Sequence, residues 1–331
     1  MTQLSRYHMM VVAKYFNTLN DFITVENINK RYTHFMELFH YNPIPLTWNT
    51  IKHFSYIETL HLYTQTDESF GNQIARKSTE NNNEENTENK RVTLKVDFFQ
   101  IVVWYQVTAT LEDSKKDDNV LFKNVVFTKD DEKVLGTKMS ENVRSIASKA
   151  FQKNTKIVEL SRQRVQKNFL HFFKSESLEN NSDTKKSHIH FIELPKSICS
   201  LGAFTFAECC NLKIVKLPRF LVEIGDYCFF NCVALEEVEL PESLKKLGDS
   251  AFANCERIKK VKVPESVIEI GSNCFGGCKN LQEVKLHKTL RKIGNFAFSK
   301  CKKLTQILVP KETKCVGLYA FESDTKTIQT L

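Results

Sequence analysis

The stretch LEEVELPESLKKLGDSAFANC, Leu235 to Cys255, is one copy of a unit that recurs every 23 residues. Within it, Val238 and Leu240 alternate with charged residues, a pattern typical of a strand with one buried face. Pro241 is expected to end the strand, because proline has no backbone N–H to donate to a neighbouring strand. One unit cannot bury its apolar face alone, so the pattern predicts copies stacked into a solenoid.

The second half of the unit is expected to return the chain to the next strand. Gly248 is expected to supply a turn conformation that larger residues resist. The segment Asp249 to Asn254 is expected to form a short helical turn, with Asp249 as its cap and Phe252 filling the core.

Three residue types keep the step of 23 residues and predict ladders along the stack. The aromatic ladder is Phe206, Phe229, Phe252, Phe275, Phe298 and Phe321. The cysteine ladder is Cys209, Cys232, Cys255, Cys278 and Cys301. The glycine ladder is Gly202, Gly225, Gly248, Gly271, Gly294 and Gly317.

The pair Cys228 and Cys232 has a spacing that also occurs in metal and redox sites. Other units hold threonine or alanine at the position of Cys228, so this position requires a small side chain. Asn154 and Asp324 replace the ladder cysteine in outer units, and such compact side chains bond backbone groups at bends. We interpret the cysteines as packed thiols and expect no metal or cofactor, since zinc requires four converging ligands. Disulfides stay open as an alternative, because stacked strands lie ~4.8 Å apart, within the range that a disulfide tolerates.

Composition divides the chain into three segments. The predicted boundaries are a helical cap at residues 1–56, irregular leading units at 57–188 with loops at 76–91 and 175–187, and regular units at 189–331.

The middle segment contains stretches that predict strands. YIETLHLY (56–63) has the strand pattern of the unit, whereas FFQIVVWYQV (98–107) and VLFKNVVF (120–127) are aromatic and β-branched runs suited to longer strands.

Two further units are predicted before the regular ones. Val134 to Asn154 resembles the unit, with Phe151 in the core position. A degenerate unit is expected to follow it, with Phe173 in the core position.

The first 56 residues predict two amphipathic helices, which we expect to cover the first strand, because an open solenoid end exposes apolar edges. Asp21 is expected to cap the second helix, and Asn42-Pro43 to stop the chain from continuing it. The first helix is marked by Leu4, His8, Val11, Val12, Tyr15 and Leu19, and the second by Phe22, Val25, Ile28, Tyr32, Phe35, Met36 and Phe39.

The run LPESLKKLGDSAFANC and its five companions resemble the 23-residue BspA-like leucine-rich repeat of bacteria and protists. The front end is similar to the protist form of this family in MMVVAKYFNTLNDFI, HYNPIPL, YIETLHLY, VVWYQV and FKNVVFTKDD. The resemblance implies an α/β repeat fold: a leucine-rich repeat solenoid with short helical turns, preceded by an N-terminal helical cap. It also implies a binding module without catalytic residues, and some members are displayed at cell surfaces.

A second function is suggested by the N-terminal helices. YFNTLNDFITVENINKRYTHFMEL (15–38) weakly resembles an F-box, although the customary opening Leu-Pro is absent. In F-box proteins such helices dock a ubiquitin ligase scaffold, and the following leucine-rich repeats select the substrate. A substrate adaptor is therefore the alternative to a plain interaction scaffold.

In the geometry that the resemblance implies, parallel strands line one face of the stack and form a platform for a protein partner. The acidic strand with Glu237 and Glu239 lies between basic strands, so we expect its charges to pair with the neighbouring rows. Two interpretations of this face stay open: it contacts a protein partner, or its charges pair with one another and it binds no ligand. The predicted face is Phe191, Glu193, Ile214, Lys216, Glu237, Glu239, Lys260, Lys262, Glu283, Lys285, Gln306 and Leu308.

The net charge and the motifs limit the functions that the sequence allows. The net charge of +8 permits contact with acidic proteins, phosphates or anionic lipid. The C-terminal end is predicted to form a basic patch, made of Lys285, Lys288, Arg291, Lys292 and Lys314. Either it contacts an acidic or anionic partner, or its solvated charge only keeps the open solenoid end soluble, and both interpretations stay open. The nine histidines fall in no catalytic or metal motif, so the sequence indicates no enzyme.

The location is predicted from hydrophobicity. No run of 18 apolar residues predicts a transmembrane helix. The first residues lack the apolar core and cleavage site of a secretory signal, so a cytoplasmic protein is expected.

Overall fold

The computed structural model describes residues 4–74, 94–116, 118–136, 138–152 and 191–329. Within the chain two compact units are distinguished. Unit 1 is Met1–Val107 with Leu111–Val125, and unit 2 is Thr108–Thr110 with Val126–Leu331. The loops predicted at 76–91 and 175–187 lie outside the described residues.

Unit 1 begins with short helices. Helix α1 follows Ser5, whose Oγ accepts a hydrogen bond from the His8 backbone N–H at 3.2 Å. The helices are α1 (Arg6–Val12) and α2 (Leu19–Ile28), with 3-10 turns at Ala13–Tyr15, Lys30–Tyr32, Met36–Leu38 and Ile51–His53. The strands that follow are β1 (Thr59–Leu62), β2 (Gln100–Val103) and β4 (Val120–Phe122).

The start of α2 differs from the prediction by three residues. Thr18 is the N-cap, and Asp21 completes a capping box by accepting the Thr18 backbone N–H at 2.8 Å. The second predicted helix is also broken: α2 ends at Ile28, and the side chain of the next residue, Asn29, accepts a hydrogen bond from the Arg31 backbone N–H at the start of a 3-10 turn.

This break divides the apolar stripe predicted for the helices. Phe22 and Phe35 are fully buried, and the Phe22 ring lies 5.5 Å from that of Phe54. By contrast, Tyr15 is 82% and Ile28 71% exposed, so these two apolar residues of the predicted helices are not buried. The chain turns at Asn29, which leaves Ile28 on the outer side.

The strands of unit 1 are parallel in the order β1-β2-β4. The edge of β1 is covered from within unit 1: Tyr41 bridges Thr59, and the buried Asn42 side chain bonds the His61 backbone at both its N–H and its carbonyl. The runs predicted as longer strands are instead short strands, since Lys123 and Asn124 interrupt the second run between β4 and the next strand.

Three elements include the residues at which the chain changes from one unit to the other: β3 (Val107–Thr108), α3 (Ala109–Ser114) and β5 (Val125–Phe127). Unit 2 then continues with α4 (Lys129–Leu135) and β6 (Val143–Ile146).

The regular part of unit 2 places two strands in each 23-residue coil, and we call these two sets the first and second columns. The first column is β7 (Phe191–Glu193), β9 (Ile214–Lys216), β11 (Glu237–Val238), β13 (Lys260–Lys262), β15 (Glu283–Lys285) and β17 (Gln306–Val309), with β19 (Lys326–Gln329) beside β17. The second column is β8 (Ser200–Leu201), β10 (Glu223–Ile224), β12 (Lys246–Leu247), β14 (Glu269–Ile270), β16 (Lys292–Ile293) and β18 (Cys315–Val316). The fold is a parallel β-solenoid of about 8 turns with few helices, as predicted.

The phenylalanine ladder is the core of unit 2. Successive rings from Phe206 to Phe321 stack at 5.1–5.6 Å, and Phe252 is fully buried. Phe127 and Phe151 extend the ladder, with ring centroids 5.3 Å apart.

One predicted unit is absent from this ladder. Phe151 stacks directly on Phe206 at 5.4 Å, and Ile146 of β6 pairs with Leu201 of β8. Such a distance leaves no space for another ring, so the prediction of an intervening unit with Phe173 in its core position is wrong. Phe173 itself lies outside the described residues.

The glycine ladder has a different cause from the one predicted. Gly248 does not adopt positive φ; instead, a Cβ there would lie 2.6 Å from the Asp226 backbone nitrogen. The positive φ angles fall at Ser250 (53°) and Asn254 (60°). The glycine is therefore required by the close approach of successive coils.

The predicted helical cap at Asp249 is also replaced by a contact between coils. Its Oδ1 accepts a hydrogen bond from the Ser272 backbone N–H of the next coil at 2.6 Å. Asp226 accepts from Asp249 in the same way at 2.9 Å. The segment after Gly248 forms hydrogen-bonded turns, which these carboxylates join from coil to coil.

Candidate functional site

The first-column strands bring the predicted face together. Ile214 pairs with Phe191 on one side and Glu237 on the other, and Lys260 pairs with Glu283. The other predicted positions lie on these strands or, for Glu239, directly after β11. The column is hydrogen-bonded in three groups, β7-β9-β11, β13-β15 and β17-β19.

Ion pairs join several positions of this face. The Glu193–Lys216 and Lys260–Glu283 pairs measure 3.0 and 3.1 Å, and Lys285 approaches Glu283 at 3.3 Å. Hydrogen bonds from Lys260 and then Lys285 hold the pKa of Glu283 below its ordinary value. These pairs are exposed, so each contributes little to stability.

The acidic strand pairs only in part. Glu236, the residue before Glu237, is paired with Arg257 of the next coil at 3.0 Å, whereas none of the ion pairs of the described residues includes Glu237 or Glu239. Lys262 instead pairs with Glu242, in the turn after the acidic strand, at 2.8 Å. Glu237 and Glu239 therefore lie outside any direct ion pair of the described residues, although β13 of the next coil carries Lys260 and Lys262.

The predicted basic patch is divided between the two columns. Lys285 lies on β15 of the first column, whereas Arg291 and Lys314 lie side by side at the second, where the Lys314 backbone N–H donates to the Arg291 carbonyl. Lys292 is ion-paired with Glu269 on the neighbouring strand. The patch is thus smaller than predicted, and its role as an anion site stays a prediction.

A cavity of about 380 Å³ lies on the outward face of the unit 1 strands. Its floor is the row Val102 and Leu121, which are register partners on β2 and β4. Next to them is His61 on β1, whose ring lies 4.9 Å from that of Tyr41 and 5.7 Å from that of Trp104.

Polar groups surround this floor. Thr59 and Gln100 line the cavity toward the start of β1 and β2, and Lys123 lines it just after β4. Burial and then the positive charge of Lys123 lower the pKa of His61, so the imidazole is neutral at pH 7. Burial likewise raises the pKa of the neighbouring Tyr63 to about 12.

This cavity was missed in the sequence, because its walls come from four segments whose spacing does not repeat. The signal was present in the strand alternation: Thr59 and His61 alternate with the buried Leu60 and Leu62. Aligning that alternation with QIVVW places His61 beside Val102.

All ten cysteines are free thiols, and those of the ladder are buried. Each ladder Sγ donates to a phenylalanine carbonyl of the preceding coil at 3.1–3.3 Å, which confirms the predicted bond to the backbone. In the part of the chain that the structure describes, no group of three His, Cys, Asp or Glu side chains could hold a metal ion.

No described helix is long and apolar enough to cross a membrane.

Comparison with known proteins identifies the repeats. The model of the BspA type leucine rich repeat region matches six copies at residues 176–273 and 245–330. No curated protein sequence is significantly similar to the chain.

Several solved bacterial structures are similar. A leucine-rich repeat protein of Bacteroides ovatus is 27% identical, with 57% of this chain and 41% of that one covered and a TM-score of 0.44. The leucine-rich repeat protein of T. pallidum is 23% identical, with 60% and 74% covered and a TM-score of 0.42. A leucine rich cell surface protein of Faecalibacterium prausnitzii is 22% identical, with 56% and 43% covered and a TM-score of 0.41. The chain thus spans less than half the length of the first and third of these proteins.

Proposed function

Because its repeats belong to the BspA-type leucine-rich repeat family, we propose that this protein is a non-enzymatic scaffold that binds a protein partner through the first-column face. Leucine-rich repeat proteins generally act through protein–protein interaction. Six neighbouring strands spaced ~4.8 Å apart give a platform ~24 Å wide, which is the scale of a protein footprint.

One observation carries this proposal. Glu237 and Glu239 have no ion pair among the described residues, although Lys260 and Lys262 lie on the neighbouring coil. Those lysines pair with Glu283 and Glu242 instead. A face used only for internal charge pairing would compensate these carboxylates, whereas a basic partner surface would complement them.

The experiment is affinity capture from the protein's own cells with charge-reversed variants. The double variant Glu237→Lys/Glu239→Lys should lose the partner that the unchanged protein captures. Glu312→Lys makes the same kind of exposed charge change outside the first column and should retain it. Equal capture by all three proteins would remove the support for this face.

The adaptor function of residues 1–56 takes second place. Phe22, Phe35 and Phe39 are buried together in unit 1, and Asn42 bonds the edge of β1. These contacts support a cap of the first strand, because they engage the residues that a recruiting surface would have to expose. Capture of an acidic ligase subunit by residues of α1 would favour the adaptor instead.

A further inference from the structure

The cavity on β1, β2 and β4 has the shape and polarity of a site for a ring. Val102 is 4% exposed at its floor, while the Trp104 indole at its wall is 45% exposed. A volume of about 380 Å³ is at the lower end for ligand sites, and it suits one aromatic side chain with its neighbouring groups. An incoming ring can pack against the indole in an offset or edge-on geometry.

The charge around the cavity favours a negatively charged ligand. Lys123 is exposed and lines the cavity, and none of the described residues that line it is acidic. His61 is neutral at pH 7, so Lys123 supplies the fixed positive charge there. The regular coils differ, because their outward lysines at Lys216 and Lys260 already have carboxylate partners.

The length of the cavity distinguishes a chain segment from a small molecule. Its lining runs from Gln100 to Trp104 along β2 and from Leu121 to Lys123 along β4. Four residues of extended chain span ~13 Å, so an extended peptide of about four residues matches this length. Thr59 and Gln100 lie away from Lys123 and offer side chains that bond peptide N–H and C=O groups.

We propose that this cavity binds an extended acidic segment of another protein, with an aromatic side chain over Val102 and Leu121 and a flanking carboxylate on Lys123. Nothing in this proposal depends on the first-column face of unit 2, since none of its residues lies there. Short peptides therefore test it independently.

The full-length protein provides its own reporter. It has two tryptophans, Trp48 and Trp104, and Trp48 packs edge-on against Phe70 outside the cavity. In the Trp48→Phe variant, which keeps an aromatic ring on Phe70, selective excitation of tryptophan gives emission from Trp104 alone. The probe is the acetylated, amidated peptide Gly-Asp-Phe-Asp-Gly, which contains no tryptophan.

A saturable change of the Trp104 emission is expected. Binding should weaken about tenfold or more when the central phenylalanine of the peptide is replaced by alanine, and when both aspartates are replaced by lysine. In the protein, Lys123→Glu should weaken binding to a similar extent. Lys52→Glu, an exposed lysine of unit 1 that does not line the cavity, should bind as before.

Three outcomes would overturn the proposal. One is the lack of a saturable response to the aspartate peptide, and another is equal binding of the lysine peptide. The third is binding of phenylacetate as tight as that of the peptide, which would assign the cavity to a free aromatic carboxylate. The peptide series needs no change in the cavity itself, so these outcomes depend on the folding of Trp48→Phe alone, which leaves every cavity residue unchanged.

Discussion

The Cys255 Sγ donates a hydrogen bond to the Phe229 carbonyl oxygen of the preceding coil at 3.2 Å. The same bond recurs along the ladder. The Phe229 carbonyl also accepts the Cys232 backbone N–H of its own coil, so the Cys255 thiol is a second donor that joins the next coil to it. Burial raises the pKa of Cys255, and it raises that of Cys301 to about 12. Thiolates are therefore suppressed at neutral pH.

Thiol titration checks this account of the cysteines. In the folded, non-reduced protein, a thiol reagent should react readily at the exposed Cys210 and Cys315 and not at the buried ladder, because only thiolates are nucleophilic. After unfolding without reductant, all ten thiols should react. Native disulfides, or zinc bound stoichiometrically after purification without chelator, would contradict it.

Replacing Phe252 by alanine tests the ring ladder. The Phe252 ring is fully buried between Phe229 and Phe275, at 5.1 and 5.4 Å, so truncation leaves a cavity. The free energy of unfolding should fall by ~3–5 kcal/mol in urea titrations. Phe220→Ala is the matched control, because Phe220 is 55% exposed and should change stability by less than ~1 kcal/mol.

The 23-residue period predicted the ladder, the strands of the first column and the small side chain at Cys228, because each depends on contacts between equivalent positions. The second column of strands, such as β12, was not predicted. The period did not predict that Phe151 stacks on Phe206, because these two residues lie further apart in the sequence than one 23-residue period. Nor did the period show why position 248 requires glycine, because a positive φ angle and the close approach of a neighbouring coil both favour that residue.

The candidate sites were predictable to different degrees. The strand positions of Glu237 and Lys260 followed from the period, whereas the ion partner of Lys262 depends on the path of the turn that carries Glu242. The unit 1 cavity could not be located by periodicity, because the spacing from His61 to Trp104 has no counterpart in the regular coils.

The buried carboxylate of Asp131 gives a prediction about pH. Burial alone would raise its pKa, but hydrogen bonds from Thr110 and Thr128 outweigh burial and lower it below 3.8. Its contribution to stability is therefore present above pH 3.8 and is lost as the pH falls through the folded-state pKa. Asp131→Asn should lower the free energy of unfolding by ~1–3 kcal/mol at pH 7.

Urea titrations from pH 7 to pH 3 check the direction in which the Asp131 contribution to stability changes with pH. The difference between the unchanged protein and Asp131→Asn should stay constant down to about pH 5 and shrink below about pH 4. Asp130→Asn, which changes an exposed neighbour paired with Lys133, should show a small difference at every pH. A gap for Asp131→Asn that is as large at pH 3 as at pH 7 would show that the carboxylate does not stabilise the fold in its charged form.

The cap proposed for residues 1–56 predicts the effect of removing Asn42. Asn42→Ala takes away the partner of the His61 backbone N–H and carbonyl, so unfolding should become easier by ~1–3 kcal/mol. Asn49→Ala, at an exposed position, should change little. Deleting residues 1–52 should lower the melting temperature in circular dichroism or make the protein insoluble, because the edge of β1 is uncovered. A truncated protein that stays soluble and melts unchanged would favour the adaptor function.

The measurement that tests the proposed binding face most directly is lysine acetylation read by mass spectrometry, with and without the captured partner. Lys260 and Lys262 lie on the first column, whereas Lys245 and Lys314 lie at the second, and all four are exposed. A partner on the first-column face should slow acetylation of Lys260 and Lys262 and leave Lys245 and Lys314 unchanged. Protection of Lys245 and Lys314 with unchanged reaction at Lys260 and Lys262 would contradict the account.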